Sequence, residues 1–201
     1  MSKKYKILII SDTEILGSYP MERLKEMFRD IDFIISAGDL SNTYLDYLFT
    51  TLNKDILYVN GNHVYRTSHD ISFCKNIDGK VIKYKGLKIF GLGGSKKYSY
   101  EPNQYSELEM IQKIISNLGY LIFGKLDIMV THAPPRHIHD KEHFVHQGFK
   151  IFHKIIEYFK PKLWIHGHTH LETHHTIQET QVGPTKVINA YGYKIIEYVK
   201  K

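Results

Sequence analysis

Along the chain, short apolar runs alternate with stretches whose apolar positions recur at helical spacing. The first run, "KYKILII", predicts a buried strand, and "YPMERLKEMFRD" sets Met21, Leu24, Met27 and Phe28 at the spacing of one helical face. "IDFIISAGD" is a continuous apolar run closed by Gly-Asp and predicts a second buried strand. "TYLDYLFTTL" predicts a helix, and "DILYVNGNH" a third strand ending in a glycine turn. Strands separated by helices in this way predict βαβ units and parallel pairing. The pattern then changes: "GKVIKYKGLKIFGLGG" alternates and turns at Lys-Gly, predicting a hairpin, and a helix follows across "SELEMIQKIISNL". Strand "KLDIMVTHAPP", helix "FKIFHKIIEYF" and strand "KLWIHGHTH" resume the theme, and "TKVINAYGYKIIEYVK" reads as antiparallel strands. The expectation is a layered α/β domain with mixed sheets spanning residues 1–201, without linker, internal repeat or low-complexity segment.

Composition narrows the function classes. A length of 201 residues with 42% apolar content suits one domain with a sizeable core. The apolar runs fall far short of the roughly 20 residues a membrane span needs, and no signal-peptide core follows "MSKK", so a soluble, cytoplasmic protein is expected. Cys74 stands alone and reads as a packed apolar residue. The net charge is +6, but only four of the 27 basic residues are arginine and the lysines are scattered. That favours anionic ligands in general over a dedicated nucleic-acid platform, which would want a clustered basic patch. Histidine is unevenly distributed: eleven of thirteen lie from His132 onward.

The chemistry-bearing residues stand at the ends of the predicted strands. Asp12 and Glu14 follow the first, Gly38-Asp39 the second, Gly61-Asn62-His63 the third, His132 the "DIMVT" strand, and Gly167-His168-Thr169-His170 the "LWI" strand. Successive side chains on an extended segment alternate faces, so Asp12 and Glu14 are expected to point to one side, two like charges in need of a partner. On the same assumption His168 and His170 share a face, with His166 able to join them. Ligands of open α/β sheets gather at the carboxyl ends of the strands, so the five loops can converge. Singly, each is an ordinary turn or a structural histidine. Together they offer oxygen and imidazole donors suited to a metal.

"SDTE", "SAGDL", "VNGNH", "VTHAPP" and "HGHTH", in this order and spacing, resemble the five signatures of the calcineurin-like metallophosphoesterases, which read D-x-H, G-D, G-N-H, H and G-H-x-H. "GLGGS" and "VINA" are similar to stretches of the small, single-domain prokaryotic members. The resemblance implies a four-layer α/β/β/α sandwich of two mixed sheets flanked by helices, and a hydrolase with a dinuclear metal centre. It implies that Asp12, Glu14, Asp39 and His170 hold one ion and Asp39, Asn62, His132 and His168 the other, with Asp39 shared. A shared carboxylate screens the repulsion of two divalent ions roughly 3.5–4 Å apart. His63 would serve as the catalytic histidine that helps the leaving group depart.

Position 14 departs from the pattern, which has histidine there. A glutamate ligand would harden that half of the site and favour Mn²⁺ or Fe²⁺, with Mg²⁺, Ni²⁺ or Zn²⁺ as further choices; alternatively the first site is weakened. "GDLSN" lacks the Asp-Arg of the protein phosphatases of the superfamily. The segment "PPRHIHDKEHFVHQG" offers Arg136, His137, His139, His143 and His146, and elsewhere Lys96 and Arg66, as candidate contacts for a phosphate or base. The expected activity is a phosphodiesterase acting on small nucleotide-like phosphate esters. The alternatives are a phosphomonoesterase and a catalytically weakened scaffold that binds a protein partner.

Overall fold

The computed structural model describes residues 2–63, 73–176 and 178–200. Two large sheets lie face to face. The first has the order β13-β1-β2-β3-β4, from β1 (Lys3–Ser11), β2 (Phe33–Ser36), β3 (Ile56–Tyr58), β4 (Cys74–Asn76) and β13 (Gly192–Lys200). The second has the order β11-β12-β10-β9-β6-β5, from β5 (Lys80–Tyr84), β6 (Leu87–Leu92), β9 (Ile128–Thr131), β10 (Leu163–His166), β11 (Glu179–Val182) and β12 (Thr185–Asn189). A small ladder joins β7 (Ser95–Lys96) to β8 (Gln104–Tyr105).

The alternation of side chains along each strand builds the layers. Ile7 and Ile9 of β1, Phe33 and Ile35 of β2 and Leu57 of β3 point into the space between the sheets, where they meet Ile89, Ile128, Val130, Ile165 and Ile188 of the second sheet. The intervening residues Leu8, Ile10, Ile34, Ile56 and Tyr58 face outward onto α1 (Met21–Met27) and α2 (Asn42–Leu52), through Leu24, Leu45, Leu48 and Leu52. On the far side Phe90, Met129, Trp164 and Val187 are covered by Met110 and Ile114 of α3 (Glu107–Ile115), Leu121 of α4 (Leu118–Leu121) and Phe152, Ile155 and Ile156 of α5 (Phe152–Phe159). The result is the expected four-layer α/β/β/α sandwich. Strands buried on both faces have no polar side, which is why they read as unbroken apolar runs.

The predicted parallel pairing of β1, β2 and β3 is present, as is the β5–β6 hairpin. The α3 helix starts in a capping box in which Ser106 and Glu109 each bond the other's backbone N–H. The C-terminal strands each have an antiparallel neighbour, as expected, but in different sheets: β12 pairs antiparallel with β11 and parallel with β10, whereas β13 pairs antiparallel with β1. The chain changes sheet at Ala190-Tyr191, next to Gly192 with φ 74°. No helix among the described residues is long and apolar enough to cross a membrane.

Candidate metal centre

Four parallel strands, β1 and β2 in one sheet and β9 and β10 in the other, end on one edge of the sandwich, where three donor residues leave the sheet in the left-handed backbone region. Asp12 has φ 66°, Asp39 58° and His168 66°. For non-glycine residues this conformation costs on the order of 1 kcal/mol each, and it is held by local bonds. The Asp12 N–H donates to the Gly38 carbonyl (3.2 Å), and the His168 N–H donates to both carboxylate oxygens of Asp12 (3.1 Å each). The His63 N–H donates to Asp39 Oδ1 (3.0 Å). The loops are therefore cross-linked by the carboxylates themselves.

Two glycines are dictated by close approach. A Cβ on Gly61 would stand 1.8 Å from Asp39 Oδ1, and one on Gly167 would stand 1.9 Å from Ser11 Oγ and 2.7 Å from Asp12 Oδ2. The glycines of "GNH" and "GHTH" are thus steric requirements of the carboxylate positions.

Asp12, Asp39 and His132 form a buried group whose donor atoms all lie within 4.8 Å of one another. His132 Nε2 is 3.3 Å from Asp39 Oδ2 and 2.9 Å from Asn62 Oδ1, while its Nδ1 donates to the Ala37 carbonyl at 2.8 Å. Asn62 in turn donates its Nδ2–H to the Tyr98 hydroxyl (2.9 Å), which turns its oxygen toward His132. His170 Nε2 lies 3.8 Å from Asp12 Oδ1, and its ring packs 5.1 Å from that of Tyr191. The His168 ring lies 5.0 Å from that of His132. His63 stands at the rim, its side chain 45% exposed and its Nε2 3.7 Å from Asp39 Oδ2.

Burial discourages charge on His132, yet Asp39 and Asp12 raise its pKa to about 9. Burial also works against ionisation of Asp39, but His132 and the His63 N–H hold that carboxyl well below the usual carboxylate range. Asp12, with burial dominant and Asp39 adding to it, is pushed up. The Asp39 carboxylate thus faces the His132 imidazolium, with the Asp12 carboxyl beside them. A donor set of two carboxyl groups and an imidazole fits a divalent cation. Burial lowers the pKa of His168 to about 3, so its ring is neutral near neutral pH and keeps a lone pair.

Glu14 is not brought to this group. β1 ends at Ser11, and the left-handed Asp12 breaks the extended segment on which a shared direction for positions 12 and 14 depends. The Glu14 side chain turns instead to Ser41, whose N–H donates to Oε1 at 2.8 Å. His168 and His170 likewise do not follow the extended geometry, since β10 ends at His166. His166 is buried and faces away to a half-buried partner, Nε2 to His139 Nδ1 at 2.8 Å, and His139 continues to Thr180 Oγ1.

Of the remaining candidates, Arg136 is buried and held by Asp140 and Glu142 (2.7 Å each), and His137 lies 3.8 Å from Glu142. His146 does reach the rim, its ring 5.3 Å from His168, with His143 6.1 Å beyond it. Lys96 donates to Gln147 Oε1 at the end of the same loop. Arg66 lies outside the described residues. Tyr98 and the Val145 carbonyl, which receives His168 Nε2 at 2.8 Å, carry no signal in the sequence: both act through contacts made by long loops.

The fold is shared with solved structures. TT1561 of Thermus thermophilus superimposes with a TM-score of 0.65 at 13% identity, covering 98% of this chain and 99% of its own. GAP50, the anchor in the inner membrane complex of Plasmodium, superimposes with a TM-score of 0.55 at 10% identity over 92% of this chain and 71% of its own. In sequence, an uncharacterized protein of Methanocaldococcus jannaschii is 30% identical over 196 residues, 90% of this chain and 86% of the relative. A family model described as calcineurin-like phosphoesterase matches residues 5–172, and with the donors of its strand ends assembled on one sheet edge, the chain belongs to the calcineurin-like phosphoesterase family.

Proposed function

We propose that the chain is a metal-dependent phosphodiesterase acting on small, nucleotide-like phosphate esters. The convergence of Asp12, Asp39 and His132 within 4.8 Å, beside a rim imidazole at His63, is the observation that carries this reading. Asp12, Asp39 and His170 would hold one divalent ion, and Asp39, Asn62, His132 and His168 a second. Such ions supply Lewis acidity that polarises a phosphoryl oxygen and acidifies water. The protein's own groups do the rest. The backbone N–H groups of His63 and His168 fix the two carboxylates. The His63 ring, accessible and with its backbone N–H tied to Asp39, would give a proton to a departing alkoxide. His146, His143 and Lys96 form a rim suited to an anionic ester.

The test is hydrolysis of bis-p-nitrophenyl phosphate against p-nitrophenyl phosphate, with Mn²⁺ and other divalent ions added and with chelator. Diester cleavage that requires metal and exceeds monoester cleavage supports the proposal. Faster monoester cleavage makes the protein a phosphomonoesterase, and inactivity under every metal makes it a scaffold of the same fold.

A further inference from the structure

We infer that Asp140 is a positioning residue for the metal centre: it staples the loop 134–149 so that the Val145 carbonyl holds Nε2–H of His168 and leaves Nδ1 as the cation-facing lone pair. The inference rests on the proposed reading of His168 as a metal ligand.

The loop is closed at its base by backbone bonds, Arg136 N–H to Phe149 O (3.1 Å) and Phe149 N–H to Pro134 O (3.2 Å), with Phe149 fully buried beneath it. Asp140 then ties its outgoing and returning arms together. Its Oδ1 accepts from the His137 N–H (2.8 Å), and its Oδ2 accepts from Arg136 Nη1 (2.7 Å) and from the Gly148 N–H (2.9 Å). The side chain is 4% exposed. A buried carboxylate with three charge-assisted bonds is a strong clamp, and these join residues on both sides of the loop tip. Across the tip the Lys141 N–H donates to His146 O (3.2 Å) and the His146 N–H to His143 O (2.9 Å), which presents the Val145 carbonyl to His168.

A carbonyl oxygen only accepts, so the imidazole nitrogen beside it carries the proton. Val145 O at 2.8 Å from Nε2 therefore commits neutral His168 to the Nε2–H tautomer. His132 is committed the other way by Ala37 O at Nδ1. The two imidazoles, 5.0 Å apart, offer opposite nitrogens, each selected by a backbone carbonyl. Such outer partners usually change metal affinity by about 10–100-fold when lost.

Long-range ¹H–¹⁵N correlation of the metal-free protein reads the His168 tautomer directly, and calorimetric Mn²⁺ titration reads the binding it supports. The wild type should hold a single Nε2–H form. Asp140→Ala should give a mixed tautomer and a loss of about 10–100-fold in Mn²⁺ affinity at one site. Gly119→Ala, whose added methyl meets nothing within 4 Å, should match wild type in both readings. If Asp140→Ala does not fold, Asp140→Asn, which keeps the shape and weakens the clamp, is read the same way. An unchanged tautomer in a folded Asp140 variant overturns the inference. A mixed tautomer with unchanged Mn²⁺ affinity upholds the positioning and overturns His168 as a ligand.

Discussion

Gly61 and Asp39 approach so closely that a methyl group on the glycine would stand 1.8 Å from the carboxylate oxygen. The Asp39 backbone N is within 2.5 Å of the same point, so no side-chain rotation relieves the clash. Gly61→Ala should therefore displace the carboxylate loop, lower stability by about 1–3 kcal/mol and weaken metal binding. Gly119→Ala is the matched control: nothing lies within 4 Å of its new methyl, and the helical position should gain a few tenths to about 1 kcal/mol. Thermal unfolding with and without metal checks both.

His132 links the centre to pH. Its metal-free pKa, raised from 6.5 to about 9, contributes stability that is fully present below 6.5 and lost as pH rises through 9. With chelator present the melting temperature should fall across that interval. A cation reverses the sign because it needs the unprotonated ring, and Asp12, also pushed up, adds in the same direction at lower pH. Metal affinity should rise by up to about tenfold per pH unit until near pH 9 and then level off. Calorimetric titration at about pH 7, 8 and 9 measures it; a flat profile would mean that no proton leaves His132.

Under the proposed function, His63 should separate catalysis from metal retention. Its hydrogen bond to Asp39 is made by the backbone N–H, which alanine preserves while removing the ring 3.7 Å from Asp39 Oδ2, so on that reading His63→Ala should keep its metal while diester turnover falls by about 10²–10⁴-fold. Metal analysis of the purified variant beside its steady-state rate gives the answer. A parallel loss of metal would mean that the ring holds the site together.

The parts of this architecture that were legible in the sequence are those where burial leaves no choice. β1, β2, β9 and β10 bury both faces, and their apolar runs stop where the donors Asp12, Asp39, His132 and His168 begin. β11, by contrast, is an edge strand with burial on neither face, so "ETQV" carries no apolar pattern. The direction of Glu14 was illegible for a different reason. Strand alternation extends only while the backbone is extended, and one left-handed residue at Asp12 cancels it. Pairings such as His139 with His166, 27 residues apart, depend on how a long loop closes, which local pattern does not encode.

Glu14 yields the last test, because two roles predict opposite outcomes. Its Oε1 accepts the N–H of Ser41, and Ser41 in turn caps α2 through its Oγ and the Tyr44 N–H. The side chain thus ties the β1 exit to the start of α2, two residues beyond Asp39. In that role Glu14→Gln, whose amide oxygen still accepts, should be within about 0.5 kcal/mol of wild type. Glu14→Ala should cost about 0.5–1.5 kcal/mol for one lost hydrogen bond. Both should bind the same number of ions as the wild-type protein. If instead Glu14→Gln loses one ion while its melting temperature in chelator is unchanged, the carboxylate swings to the metal on loading, and the sequence-based ligand assignment for position 14 stands.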